Sequence, residues 1–387
     1  MTIQNDIKRR VARMQALIRE KELDGAFFMY PIDVYYFCGT NQTATLWIPA
    51  EGEPILLVRK SLVRAKQESV VADVRAYPAS RDFQGLFGKA LSKVGMTFDV
   101  IPVQQLNYCI KLLPGTEFVD ISPLNRELRS VKSPFELDQL RHSGRAIGEI
   151  FTQVPQFLKA GMREVDLAAE FEYRLRKAGN EGYIRMRAFN QELFIGLAVS
   201  AGGTSYGGFD GAVTGRGVSS ASPYGSSFDV IKENEPVFLD YAGVMNGYVA
   251  DMTRVFVIGK LDPELQRAFD VALEIQSFLQ NALKPGVICE ELYFESVEMA
   301  NQAGFGKAFM GMPGEQSRFV GHGVGLELDE WPILAKGFKG PLKEGQVIAI
   351  EPKFVIPGKG VIGIENTFAV TGAGGEKLTD IPDQIRV

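Results

Sequence analysis

Histidine and cysteine are both scarce in this chain. Of its 387 residues two are histidine, His142 and His322, and three are cysteine, Cys38, Cys109 and Cys289. The cysteines are far apart and in no paired spacing, so they predict neither a disulfide framework nor a thiolate metal site. We expect each cysteine to be a small buried apolar side chain.

Long apolar runs and an excess of positive charge are also missing. No uninterrupted apolar stretch reaches the roughly 18 residues that a membrane-spanning helix needs. The net charge of −5 arises from intermixed acidic and basic residues, with no basic run that could follow a phosphate backbone. The first 25 residues are polar and amphipathic and lack an apolar signal core. These features predict a cytoplasmic protein that binds neither nucleic acid nor a membrane.

The length and the helix signals predict two domains. A chain of 387 residues exceeds the roughly 100 to 200 residues of a typical domain. The pattern changes at Ser133-Pro134, which is typical of a helix start. We expect a boundary near residue 132, which gives domains 1–132 and 133–387, and a long helical region from the boundary to about Lys177.

The N-terminal domain combines helical and strand-like patterns. Before the turn pair Asp24-Gly25, apolar residues recur at helical spacing and predict an amphipathic helix. Short apolar runs bounded by turn residues follow. We expect strands at the runs AFFMY, VYYF, TLWIPA, PILLVRK, FDVIP and EFVDI. This alternation predicts a mixed α/β domain.

A two-residue hairpin turn is predicted at Asn246-Gly247, between two β-rich apolar runs. That turn sets a register in which Asp240 lies opposite Thr253 and Asp251 lies opposite Ala242. Because side chains alternate along a strand, the two aspartates then share a face as diagonal neighbours, roughly 7 to 8 Å apart at the backbone. Their carboxylates can converge.

A second hairpin is predicted in the run QVIAIEPKFVIPGKGVIGIENTFAVT, with Glu351 in one strand and Glu365 in the other. The two glutamates share a face only if the loop has an odd number of residues, for example Pro357-Gly358-Lys359. In that case they lie directly opposite one another. A two-residue loop would point them apart.

These four acids all lie in apolar runs, which leaves two interpretations. They could be solvated strand faces, the commoner situation for a single acid in a strand. Alternatively they are buried together, where like charges raise one another's pKa unless a cation intervenes. One or two divalent ions are the simplest remedy. Neutralisation by lysine or arginine is also possible, and Arg254 stands near, but one arginine cannot balance four acids.

His322 lies between two glycines in the run GHGVGL. Glycines remove side-chain bulk and allow a close backbone approach, which favours a metal ligand over the commoner case of a satisfied polar histidine. One imidazole with four carboxylates suits Mn, Co, Fe or Zn rather than a structural zinc cage. His142 lies in a helical segment and is expected to be structural.

In this order the residues resemble the five-ligand signature of the pita-bread metallopeptidases, the family of methionine aminopeptidase, aminopeptidase P, prolidase and, without metal, creatinase. The match is carried by DYAGVMNGYVADMTR, GHGVGL and IEPKFVIPGKGVIGIEN. The opening helix and the junction LRSVKSPFELDQLRHSGRAI are similar to the creatinase and prolidase type. The resemblance implies an α+β fold with an N-terminal creatinase-type α/β domain. It also implies a C-terminal pita-bread domain whose curved antiparallel sheet is flanked by helices.

The resemblance further implies two adjacent divalent metal ions (Mn, Co, Zn or Fe). Asp240 would bind one ion, His322 and Glu351 the other, and Asp251 and Glu365 would bridge them. Such ions share a hydroxide that is nucleophilic at neutral pH, and they polarise the scissile carbonyl. The counterpart of Glu351 in the family also shuttles a proton, which makes Glu351 a candidate catalytic residue.

Two positions depart from the family, where the resemblance implies substrate-contacting histidines. Tyr224 stands at the first position and Asp329 at the second. In the family these histidines hold the substrate and steady the tetrahedral intermediate, and one such donor is worth about 2.7 to 4 kcal/mol. Tyr224 can still donate a hydrogen bond. Asp329 could hold a cationic group of the substrate, act as a base, or be a surface acid.

Three functional hypotheses follow. The first is a dimetal hydrolase that cleaves Xaa-Pro dipeptides or N-terminal Xaa-Pro bonds. The second keeps the fold and the metal site but acts on a small non-peptide substrate as a creatinase-like hydrolase or lyase, which the residues at positions 224 and 329 favour. The third, a non-catalytic binding protein, leaves the retained ligands without a use. The resemblance also implies a homodimer, and the Gly- and Ser-rich segment 201–225 is expected to border the site as a mobile loop.

Overall fold

The computed structural model describes residues 2–187, 194–201 and 211–384. Within these ranges the chain divides into two compact units. The first consists of residues 2–129 together with Arg187, and the second of the other described residues. The domain boundary at residue 132 stays a sequence-based prediction, close to this change of unit.

Helices and strands alternate along the first unit. In chain order they are α1 (Ile3–Glu20), β1 (Gly25–Phe28), α2 (Pro31–Cys38), β2 (Ala44–Pro49), β3 (Ile55–Val58), α3 (Leu62–Glu68), β4 (Asp73–Ala76), β5 (Lys93–Met96), α4 (Val103–Leu112), β6 (Glu117–Asp120) and α5 (Ser122–Ser130). The strands form one mixed sheet in the order β4-β3-β2-β1-β5-β6. The mixed α/β architecture expected from the sequence is thereby confirmed.

The first helix is amphipathic as predicted, since Ile7, Met14 and Ile18 on one side of α1 are buried.

Two of the expected strands are wrong. The run VYYF lies in α2, because Pro31 at its first position and left-handed Gly39 (φ 84°) at its end define a short helix that overrides the strand preference of aromatic side chains. The run FDVIP forms a turn that leads into α4, and the strand precedes it.

A buried carboxylate organises the polar interior of the first unit. Asp33 in α2 is fully buried. Its Oδ1 accepts hydrogen bonds from Asn125 at 2.7 Å, from Arg187 at 3.0 Å and from Arg129 at 3.1 Å. Arg187 also binds Asp99 at 2.7 Å. Because these charges are out of water, each depends on its partners for compensation.

The second unit is larger and contains three groups of antiparallel strands. In chain order its elements are α6 (Pro134–Phe157), α7 (Glu164–Lys177), β7 (Gly196–Val199), β8 (Pro236–Met245), β9 (Tyr248–Val257), α8 (Pro263–Ala282), α9 (Cys289–Gln302), β10 (Phe319–Gly323), β11 (Glu330–Ala335), β12 (Val347–Ile350), β13 (Lys353–Ile356), β14 (Gly360–Gly363), β15 (Asn366–Thr371) and β16 (Gly374–Lys377). The strand orders are β7-β8-β9, β11-β10-β12-β15-β16 and the hairpin β13-β14.

The helical region after the boundary begins as expected but is not continuous. Ser133 caps α6 with a reciprocal pair of hydrogen bonds, each 3.1 Å. The backbone N–H of Ser133 donates to the carboxylate of Glu136, and the backbone N–H of Glu136 donates to the hydroxyl of Ser133. The helical region reaches Lys177 as expected, but it is divided into two helices, because the chain leaves α6 after Phe157 and turns at Gly161 (φ 88°) before α7 starts. A positive φ at that glycine does not continue a right-handed helix.

The two faces of the β8–β9 hairpin have different neighbours. On one face Leu239, Tyr241 and Met252 pack in a core with α6 and α7, where the rings of Tyr241 and Phe171 stack at 4.2 Å. The opposite face carries apolar residues at its far end that pack with α8 and α9. The same face carries the aspartates predicted to bind metal, so α6 and α7 support the strands from behind.

The described residues also bear on the cysteines and on membrane association. All three cysteines are buried and unpaired, as the sequence indicated. Among the helices of the described ranges, none is both long and apolar enough to cross a membrane.

Candidate metal centre

The β8–β9 hairpin positions the two aspartates as its turn predicts. Asn246 and Gly247 both adopt positive φ, 53° and 81°, as a two-residue hairpin turn requires. The ladder pairs Asp240 with Thr253 and Asp251 with Ala242. The register predicted from the sequence is therefore confirmed, and both carboxylates lie on the same face.

The second pair of acids lies on a hairpin with an odd loop. Strands β13 and β14 pair Ile356 with Gly360, which leaves a loop of three residues, 357–359. Further along the same two chain segments, β12 and β15 pair Ile350 with Asn366. The register is the same on both sides of the gap between these ladders, and it places Glu351 opposite Glu365. The odd-loop prediction is confirmed.

The glycines beside His322 let neighbouring strands approach. Strand β10 lies between β11 and β12. A Cβ at Gly321 would lie 2.6 Å from the carbonyl oxygen of Ala349, and one at Gly323 would lie 2.5 Å from that of Glu330. Both distances are shorter than van der Waals contact. The GHG pattern thus places a histidine on a strand packed tightly on both sides.

The imidazole of His322 faces the acids with Nε2. Its Nδ1 lies 3.3 Å from the carbonyl oxygen of Gly323, which can accept the Nδ1 proton. Nε2 lies 3.4 Å from Glu351 Oε1, 3.8 Å from Asp251 Oδ2 and 4.0 Å from Glu365 Oε1. Burial lowers the pKa of His322, but the hydrogen bond and charge of Glu351 and the charges of the other two acids outweigh burial and raise that pKa to about 10.

A lysine that the sequence analysis did not single out lies inside the cluster. Lys353 Nζ donates to Glu351 Oε2 at 2.7 Å, to Asp240 Oδ2 at 2.9 Å and to Glu365 Oε2 at 3.0 Å. Its side chain is only 3% exposed. The signal was present in the sequence: Lys353 stands two positions after Glu351, so the two share a strand face.

Arg254 is not the neutralising cation that the sequence suggested. Its guanidinium donates to the backbone carbonyls of Thr253 and Glu365 at 2.7 and 2.9 Å. It also binds the carboxylate of Asp383 at 2.9 Å. Residue 254 alternates to the opposite strand face from Asp251, so its side chain leaves the cluster and Lys353 takes that role.

The electrostatics show that the cluster is short of positive charge. Burial raises the pKa of Asp251, and the charge of Asp240 raises it further. Burial and the charge of Asp251 hold the pKa of Glu365 well above the usual range. Burial alone would raise the pKa of Glu351 too, but the charge of Lys353, together with the histidine, lowers it. Without another cation, two of the four acids therefore favour protonation.

The residues around Nε2 of His322 fit a divalent metal ion. Ligand atoms of Asp251, His322 and Glu365 all lie within 4.8 Å of one another. Two atoms bound to one ion at about 2.1 Å are roughly 3.0 to 4.2 Å apart, and the distances from Nε2 to the three acids lie in that range. Glu365 Oε1 is buried and accepts no hydrogen bond from the described residues. An unsatisfied buried carboxylate oxygen is the group that a cation would satisfy.

The acids open into a cavity of about 390 Å³. Its walls are mainly apolar, and its polar lining includes all five predicted ligands and Asp329. Tyr224 is not among the described residues that line it. Ala212 and Val213, from the Gly- and Ser-rich segment, do line it, whereas residues 202–210 of that segment lie outside the described ranges. The proposed roles of Tyr224 and Asp329 stay predictions.

Thr253 is a second residue that the sequence analysis did not select as part of the site. Its hydroxyl donates to Glu365 Oε2 at 2.8 Å, and the residue is fully buried. The predicted register already placed Thr253 opposite Asp240, on the face of the acids. An alternation rule applied to every polar residue of the strand would have included it.

Comparison with known proteins agrees with this geometry. Residues 138–372 match Metallopeptidase family M24, and residues 10–131 match the Creatinase/Prolidase N-terminal domain. An Xaa-Pro dipeptidase of Pyrococcus furiosus is 27% identical over 376 residues, which cover 96% of this chain and 98% of that protein.

Solved structures show the same fold over nearly the whole chain. A prolidase from Pyrococcus furiosus superposes with a TM-score of 0.77 at 26% identity and covers 95% of this chain and 99% of its own. An Xaa-Pro dipeptidase from Bacillus anthracis gives a TM-score of 0.82 at 22% identity, over 98% of this chain and 100% of its own. The α+β fold with a creatinase-type N-terminal domain and a pita-bread domain is confirmed. The chain is a hydrolytic enzyme and belongs to metallopeptidase family M24.

Proposed function

We propose that this enzyme cleaves Xaa-Pro peptide bonds, as a dipeptidase or as an aminopeptidase acting on an N-terminal Xaa-Pro. The observation that carries the proposal is the convergence of four carboxylates and His322 in the wall of a small, mainly apolar cavity. A cavity of this size accommodates a small ligand, and apolar walls suit a proline ring. The Xaa-Pro dipeptidase and prolidase relatives support this choice of substrate.

The proposed metal ligands are Asp240, Asp251, His322, Glu351 and Glu365. Bound divalent ions supply Lewis acidity that polarises a carbonyl and makes water nucleophilic at neutral pH. The resemblance implies two ions, and the position of Lys353 bears on that number. Because the donors are oxygens with one nitrogen, we propose manganese first among Mn, Co, Zn and Fe.

Charged residues beside the metal ligands suit the two ends of a dipeptide. Glu351 contacts both His322 and Lys353 and is the proposed carrier of the proton during turnover. Arg318 and Lys336 line the cavity and are exposed, so their side chains can reach a substrate carboxylate. Asp329 lines the same cavity and offers a negative charge to a substrate amine.

A second candidate function keeps the metal site and changes the substrate. Asp329 lines the cavity at a position where the resemblance implies a histidine, and Tyr224 is not among the described lining residues. A carboxylate cannot donate a hydrogen bond to a tetrahedral intermediate unless it is protonated. This observation favours a small non-peptide substrate, acted on by a creatinase-like hydrolase or lyase.

The deciding experiment is the initial rate of residue release from Xaa-Pro and Xaa-Pro-Yaa peptides by Mn-reconstituted protein. His322→Ala, which removes one proposed ligand, is the background control. Rates well above that control support the peptidase proposal. Rates equal to the control, in folded and metal-loaded protein, would reject it and favour the non-peptide substrate.

Assembly and location are also proposals. We propose a homodimer, as the resemblance implies, and a cytoplasmic location, as the composition indicates. Light scattering on the purified protein measures the first, and a single-chain mass would reject it. Fractionation of cells that produce the protein measures the second.

A further inference from the structure

Lys353 is held among three of the proposed metal ligands. Its ammonium nitrogen is 2.7 to 3.0 Å from three oxygens, one each from Asp240, Glu351 and Glu365. An ammonium group has three protons, and each of these hydrogen bonds uses one of them. The group therefore has no proton left to donate to a substrate and acts as a fixed positive charge.

An ion bound by these three oxygens would compete with the ammonium group for the same space. An ion bound by the same three atoms at about 2.1 Å would occupy the space between them that Nζ fills. We propose that Lys353 replaces one of the two metal ions, so that the centre holds a single divalent ion between His322, Asp251 and the Oε1 atoms of Glu351 and Glu365. This proposal rests on the proposed metallohydrolase function and specifies its metal content.

The surroundings of Lys353 keep its side chain in place. Its partner in the β13–β14 ladder is Gly363, where a Cβ would lie 2.8 Å from the Cγ of the lysine. The absent side chain thus leaves room for the stem of the lysine. Its Nζ also lies 5.5 Å from the ring centroid of Phe238, within range of a cation–π contact. The side chain is only 3% exposed, so leaving the cluster would separate its charge from three carboxylates.

One divalent ion accounts for most of the charge of the cluster. Three of the four carboxylates contact Lys353, and the fourth, that of Asp251, lies 3.8 Å from His322. When an ion holds the imidazole neutral, that ion and the lysine offset all but one of the four carboxylate charges, so charge balance does not require a second ion. Uncompensated buried charge of either sign is costly.

The carboxylate oxygens of Glu351 and Glu365 divide into two sets, one facing Lys353 and one facing His322. Lys353 uses Oε2 of Glu351 and Oε2 of Glu365. Oε1 of both residues faces His322, at 3.4 and 4.0 Å from Nε2. Oε1 of Glu365 has no hydrogen bond from the described residues. Each glutamate thus offers one oxygen to the lysine and one to the remaining ion.

The test is the molar ratio of bound Mn(II) to protein, from elemental analysis and calorimetric titration of the metal-stripped enzyme. We expect about one equivalent for the wild type and, by electron paramagnetic resonance, the spectrum of an isolated Mn(II) ion. Two equivalents with a spin-coupled spectrum would overturn the assignment of Lys353 and leave the metallohydrolase proposal intact. No bound ion would overturn both.

Variants of the lysine separate its charge from its volume. Lys353→Ala releases three oxygens and leaves an empty space between them, so we expect the ratio of bound Mn(II) to protein to rise to about two. Lys353→Met keeps the volume without the charge, and its ratio should not exceed that of the wild type. Adding Asp240→Asn to Lys353→Ala should remove the second ion again. A general loss of structure cannot produce a gain of metal, and a folded Lys353→Ala variant that binds no more than the wild type would refute the proposal.

Discussion

The backbones of Thr253 and Glu365 exchange two hydrogen bonds, of 3.3 and 3.4 Å, and the threonine hydroxyl donates to the glutamate carboxylate at 2.8 Å. This bridge lies in the gap between the β12–β15 ladder and the β13–β14 ladder. The gap frees the backbone of Glu365 to pair with β9. The acids of the two hairpins are therefore joined through Thr253.

The threonine hydroxyl should tune metal binding. Thr253→Val keeps the shape and the backbone bridge but removes the hydrogen bond to Glu365, which orients a proposed ligand. We expect Mn(II) affinity to fall about 10- to 100-fold, as measured by calorimetry. Thr253→Ser, which keeps the hydroxyl, is the matched control and should bind much more like the wild type. Equal affinities for the valine and wild-type proteins would show that the hydroxyl does not act on the metal.

The two histidines should differ in their contribution to metal binding and hydrolysis. His322→Ala removes the only nitrogen ligand of the proposed centre, and we expect Mn(II) affinity to fall by at least about 100-fold together with hydrolysis. His142 lies exposed on α6, so His142→Ala should leave both unchanged. Retention of stoichiometric, tight metal binding by His322→Ala would contradict the assignment.

Stability without metal should fall as pH rises. The pKa of Asp251 is raised in the folded protein by burial and by the charge of Asp240. A carboxyl with a raised folded pKa binds more protons folded than unfolded, so stability decreases as pH rises above the ordinary carboxyl range, near about 4. Melting temperatures in EDTA should drop from weakly acidic to neutral pH, and saturating Mn(II) should remove the drop.

The stabilisation of the folded protein by bound Mn(II) follows from mass action. At Mn(II) about 100 times above its dissociation constant, binding stabilises the folded state by about 2.7 kcal/mol. Melting temperatures that do not change with Mn(II) at neutral pH would contradict a cation site among these acids. Mg(II), a poor partner for the imidazole, is the comparison ion.

The stability of the first unit should be sensitive to the loss of one buried charge. Asp33→Asn removes the charge that compensates Arg129 and Arg187, and we expect about 3 to 5 kcal/mol of destabilisation by urea unfolding. Asp73→Asn breaks an exposed pair with Arg75 and should cost under about 1 kcal/mol. Similar effects of the two variants would mean that the buried cluster is not charged as described.

The role of Asp329 can be separated from general damage by the choice of substrate. If its carboxylate holds the substrate amine, Asp329→Asn should raise KM for free Xaa-Pro dipeptides about 10-fold or more, through loss of a charge-assisted hydrogen bond. The kcat should change much less. An N-acetylated dipeptide that is hydrolysed equally by both proteins is the control. An unchanged KM would leave Asp329 without a role toward the amine.

Local sequence patterns were sufficient where one rule applied to neighbouring residues. The turn at Asn246-Gly247 determined the register of Asp240, because a two-residue loop permits one pairing of the flanking strands. The helical spacing of apolar residues in the first segment predicted α1. Strand propensity was not sufficient for VYYF, since Pro31 and Gly39 defined a helix around it. Propensity is a weak preference that such end signals override.

The sequence by itself determined the family, the order of the five proposed ligands and the register of the β8–β9 hairpin, because these depend on residues close together along the chain. For the second hairpin it left the loop length open, and the structure decided it. Only the tertiary structure decided that β9 meets Glu365 and that Lys353 lies among acids from different hairpins. Asp240 and Lys353 are far apart in sequence, and no local period encodes which strands meet. Because these charges are buried away from water, they must compensate one another, and this makes the cluster a cation site.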